Sequence, residues 1–75
     1  MAQTLEQLLG RLALAVQSER KKRSWSQLEL SNRAGLDRAY ISGLENGKQN
    51  PTIGVVLKLA TALGVKLDEL LNDTA

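Results

Sequence analysis

Between Ser26 and Gly47 two helix starts and two glycine stops follow one another so closely that the backbone has few ways to run. Ser26 followed by Glu29 matches the S-x-x-E capping box, so a short helix is expected from Gln27 to about Arg33 or Ala34. Gly35 supplies a residue able to take positive φ just beyond that helix. Asp37 is a good N-cap, and only Gly35 and Leu36 separate it from the preceding helix. A further helix therefore runs from Asp37 to Asn46 and stops at Gly47. Two short helices across so tight a turn make a helix-turn-helix pattern over residues 26–47.

The flanks also read as helices. Leu5, Leu8, Leu9, Leu12 and Val16 recur at amphipathic spacing, with Thr4 as cap and Gln7 at the third helical position, and this first helix is expected to end near Arg23 or Ser24. Gly10 inside it costs about 1 kcal/mol against alanine, which predicts that close packing compensates. After a loop from Lys48 to Pro51, Thr52 caps a fourth helix carrying Ile53, Val56, Leu57, Ala60 and Leu63, stopped by Gly64. Leu67 to Leu71 makes a short fifth, and the last three or four residues are expected to fray. Seventy-five residues suffice for one hydrophobic core, so residues 1–75 are read as a single all-α domain. Trp25 and Tyr40 are the only aromatics, and aliphatic side chains supply the rest of the core.

Charge divides unevenly. From Arg20 to Lys48 seven basic residues face three acids, a balance of +4 within a chain of net +2, so the remainder is net −2. Positive potential on one segment suits a polyanionic partner, an ordinary solvated surface being the alternative. On a wheel of about 100° per residue, Tyr40, Ile41 and Leu44 fall on one arc of the Asp37–Asn46 helix, and Arg38, Ala39, Ser42, Gly43 and Asn46 fall on the other. The second arc lacks the Lys and Glu that usually keep a helix soluble. Its small side chains let the backbone approach another surface, and the DNA major groove is wide enough for a helix. Arg38 is then placed to reach guanine O6 and N7, Ala39 a thymine methyl, and Ser42 a base edge or phosphate. The alternatives are a solvated arginine and tight helix packing at Ala39 and Gly43.

The stretches Ser26-Gln27-Leu28-Glu29-Leu30, Ala34 through Lys48, and Asn50-Pro51-Thr52 resemble the Cro and repressor-type helix-turn-helix regulators, also called the xenobiotic-response-element type. Leu59-Ala60, Ala62 to Val65 and Leu67 to Leu71 continue the likeness. It implies a compact five-helix lambda-repressor-like domain with the helix from Asp37 to Asn46 in the major groove. Arg38, Ala39, Ser42 and Gly43 match base-facing positions, while Gln27, Asn46 and Lys48 match positions that contact the DNA backbone. Arg20 and Glu45 match an ion pair clamping the first helix to the recognition helix. The run from Arg20 to Arg23 is a candidate phosphate-binding edge, with Arg23 its phosphate contact; a solvated helix end is the alternative.

Departures from the family pattern are Ser24 where glycine is usual, Trp25 where a small aliphatic residue is usual, and Glu19 where an apolar residue is common. Trp25 is expected in the core. Gly43 removes a side chain from a base-reading position, which shifts weight towards DNA shape.

The expected partner is double-stranded DNA bearing a two-fold symmetric site, bound by a homodimer as the resemblance implies. Val55, Leu59, Leu67 and Leu71 of the fourth and fifth helices are the candidate interface, with Leu5, Leu8 and Leu9 a second possibility. A restriction-modification controller is an alternative for the specific role, and an antitoxin or partner-binding module a different one. Without His or Cys, imidazole-assisted nucleophiles and thiolate metal sites are excluded, and no enzyme is expected. No cofactor, metal or small-molecule effector is indicated. No secretory signal or membrane-spanning run is visible, so a cytoplasmic, nucleoid-associated location is expected.

Overall fold

The computed structural model describes residues 3–72, and these form α1 (Leu5–Lys22), α2 (Gln27–Ala34), α3 (Arg38–Glu45), α4 (Ile53–Leu63) and α5 (Leu67–Leu71). The fraying expected of the last residues falls on positions outside this range, apart from Asn72.

Each start expected from a polar cap is present. At α1, Thr4 Oγ1 accepts from Gln7 N at 3.1 Å while Thr4 N donates to Gln7 Oε1 at 3.0 Å, so two otherwise orphaned donors are satisfied reciprocally. Ser26 Oγ accepts from Glu29 N at 3.0 Å at the start of α2. The reciprocal half is missing there, because the Glu29 carboxylate pairs with Arg33 one turn on, at 2.7 Å. Asp37 caps α3 through Ala39 N, and Thr52 caps α4 through Val55 N. Gly35 and Gly64 close α2 and α4 in the left-handed conformation at φ +68° and +71°.

The core is aliphatic. Leu12 and Val16 of α1, Leu30 and Ala34 of α2, Ile41 and Leu44 of α3, four residues of α4 and Leu70 of α5 form one cluster. Trp25 and Tyr40 pack against it while half-buried. Two expectations fail. Leu59 lies at 0 % exposure inside this chain's own core, so it is no interface residue. Gly10 has nothing within 4 Å of where a Cβ would stand, so no close packing within the chain accounts for it.

Candidate nucleic-acid interface

Presentation of α3 depends on a buried ion pair. Arg20 Nε and Nη2 donate to Glu45 Oε2 and Oε1 at 2.7 and 2.9 Å, and the third donor, Nη1, reaches Trp25 O at 2.7 Å. The side chains are 10 % and 2 % exposed. Hydrogen bonding to Glu45 raises the Arg20 pKa above its ordinary value against the opposing effect of desolvation. Gln27 Nε2 also donates to Glu45 Oε1, at 3.1 Å, tying the first residue of α2 to the last of α3. A charge pair so enclosed does not by itself argue for stability, but removing either partner strands a buried charge. Its geometric effect is plain: α1, α2 and α3 are locked at the C-terminal end of α3.

With Ile41, Leu44 and Glu45 turned inward, the opposite arc of α3 faces out. Arg38 and Ala39 are exposed, Ser42 and Gly43 half-buried, and Asn46 exposed beyond the last turn. Arg38 has no hydrogen bond or ion pair among the described residues, whereas Arg20, Arg23 and Arg33 are all engaged. Its guanidinium is free to meet an external acceptor. Asn46 uses one amide hydrogen on Ser42 O at 3.0 Å. Lys48 leaves its ammonium exposed while its backbone N–H closes α3 onto Gly43 O at 2.9 Å.

Arg23 does not fit the phosphate role. Its guanidinium donates to Glu19 O at 2.6 Å, to Glu19 Oε1 at 2.9 Å and to Leu63 O, joining the end of α1 to the end of α4. Glu19 owes its place to this arrangement: it pairs with Arg23 and with Lys22, and these contacts, Arg23 first, lower its pKa. Arg20 and Arg23 of the basic run are therefore committed to contacts within the fold, while Lys22 pairs with Glu19 at the surface.

Two features escaped the sequence reading. Trp25 lies under Arg33, whose Cζ is 4.2 Å from the ring centroid, a cation–π contact across the start and end of α2. Gln49, from the loop after α3, lies across Gly43: a Cβ on Gly43 would stand 3.1 Å from Gln49 Nε2 and 3.2 Å from Gln49 Cγ. The bare glycine was visible in the sequence, but the loop path that brings Gln49 over it was not. Among the described residues no group of His, Cys, Asp or Glu is placed to hold a metal, and no helix is long and apolar enough to cross a membrane.

Five helices with the second and third joined by a three-residue turn, and an outward third helix rich in small side chains, define a helix-turn-helix domain. The chain belongs to the helix-turn-helix family HTH_3, which it matches over residues 16–70. It is similar to a Neisseria protein described as a hypothetical transcription factor. The two are 40 % identical over 60 residues, which is 80 % of this chain and 57 % of that protein. The solved structure of that factor superposes with a TM-score of 0.88, covering 99 % of this chain and 85 % of that one at 34 % identity. The restriction-modification controller protein C.AhdI from Aeromonas hydrophila matches with a TM-score of 0.80 and 37 % identity over 83 % of this chain and 94 % of its own. A tetramer of the controller C.Esp1396I, solved in complex with its natural 35 base-pair operator, matches with a TM-score of 0.75 and 27 % identity over 87 % and 96 % of the two chains.

Proposed function

We propose that this chain is a sequence-specific regulator of transcription that binds double-stranded DNA as a homodimer, with α3 in the major groove and residues 1–75 acting as one domain. The observation that carries the reading is the outward arc of α3, where an uncommitted Arg38 stands among small side chains on a helix held from behind by Arg20 and Glu45. Arg38 donates to guanine, and Ala39 and Ser42 contact neighbouring base edges, whereas the outward space at Gly43 is filled by the Gln49 side chain. Gln27, Asn46 and Lys48 meet phosphates; the first two keep a second amide hydrogen for that purpose after their internal bonds. The chain works at DNA in the cytoplasm and has no catalytic role. A restriction-modification controller is the particular role favoured by the likeness to C.AhdI over almost all of that protein's length. Its test is whether the bound site lies ahead of restriction-modification genes.

The DNA reading is tested by gel-shift titration on a selected duplex and a random one. Arg38→Ala is expected to cost about 1–3 kcal/mol on the selected duplex and to relax preference at one base pair, while Lys48→Ala weakens both duplexes alike. Equal losses on the two duplexes for Arg38→Ala would remove it as a base reader.

A further inference from the structure

Gly43 occupies the part of the α3 surface where a side chain would point outward one turn after Ala39, yet the space above it is filled. Gly47 at φ +72° and the bond from Lys48 N to Gly43 O reverse the chain directly after α3. That reversal lays the half-buried Gln49 side chain over the glycine. The Gln49 amide has no hydrogen bond among the described residues. A primary amide offers a donor and an acceptor side by side, the pair that matches adenine N6 and N7 in the major groove.

We infer that Gln49 is a specificity-determining residue, a loop side chain that takes the base-reading place left empty by Gly43 and selects adenine at one position of each half-site. The inference rests on the proposed docking of α3 in the major groove. Gly43 has a second purpose on this account, since any larger residue pushes the Gln49 amide out of register. The reading face then comprises Arg38 at its start, Ala39 and Ser42 in its middle and Gln49 at its end.

Selection of bound duplexes from a random pool, run in parallel for the unaltered chain, Arg38→Ala, Gln49→Ala, Gln49→Glu and Gly43→Ala, tests it. Melting temperatures accompany each variant to establish that it folds. In the unaltered chain one position per half-site prefers adenine, beside the position relaxed by Arg38→Ala. Gln49→Ala abolishes that preference alone, a loss of roughly 5- to 150-fold in discrimination. Gln49→Glu turns it towards cytosine, whose N4 amino group donates to a carboxylate. Gly43→Ala, which meets only a flexible side chain, perturbs the same position. An unchanged profile in the Gln49 variants, or a uniform loss of binding to all sequences, overturns the inference while leaving the Arg38 reading intact. If the unaltered chain selects no sequence, the docking of α3 falls and the inference with it.

Discussion

At Glu45, two carboxylate oxygens serve three donors from two other helices, and at Glu19 one carboxylate gathers two cations at the end of α1. The first arrangement was expected from the resemblance at Arg20 and Glu45. The second was not, because a glutamate where the family has an apolar residue reads as a packing defect until its partners are known. The same holds for Arg23: nothing local separates it from a solvent-facing basic residue, and only the path of α4 past α1 brings Leu63 O within reach. The Glu19 contacts carry a pH consequence. Its carboxyl is held below its ordinary value in the folded state, so its stabilising contribution is present above the unfolded-state value and lost as pH falls through the folded one. Urea midpoints measured on acidification below about pH 5 should therefore fall less steeply for Glu19→Gln than for the unaltered chain. Parallel curves would mean that the pair contributes nothing.

Helix starts and stops were readable because a cap is a local chemical event. Thr4, Ser26, Asp37 and Thr52 each accept from a backbone N–H two or three residues on, where short-range chemistry puts it. Which face of a helix meets the core is not local when apolar residues surround it. In α4, Ile53, Val55, Val56, Leu57 and Leu59 leave the inward direction open. Docking against the other helices buries Val56 and Leu59 and leaves Ile53 and Leu57 exposed. Leu59 is for that reason a core residue and not the interface residue that the sequence suggests. Gly10 differs in the opposite sense: the sequence predicts a contact there, and the structure has open space. Gly10→Ala is accordingly expected to stabilise the fold by up to about 1 kcal/mol, through helix propensity and reduced freedom of the unfolded chain. A lower unfolding temperature for that variant would contradict it.

As a whole, the molecule puts its one uncommitted arginine among the described residues on a face of α3, and the proposed association surface lies elsewhere, on α4 and α5. Val55, Leu67 and Leu71 stay half-buried at the edge of the core and remain the proposed dimer surface after the loss of Leu59. Leu67→Glu is expected to sediment as a monomer and to bind a two-fold site far more weakly. A dimer of undiminished strength would shift the interface to the exposed Ile53 and Leu57, or to Leu5. The central claim is that α3 enters the major groove, and chemical protection of guanine N7 on a selected duplex tests it most directly. Two N7 positions should be shielded about one helical turn apart, and Arg38→Ala should unshield both. Unprotected N7 atoms on a duplex that is nonetheless bound would contradict the claim.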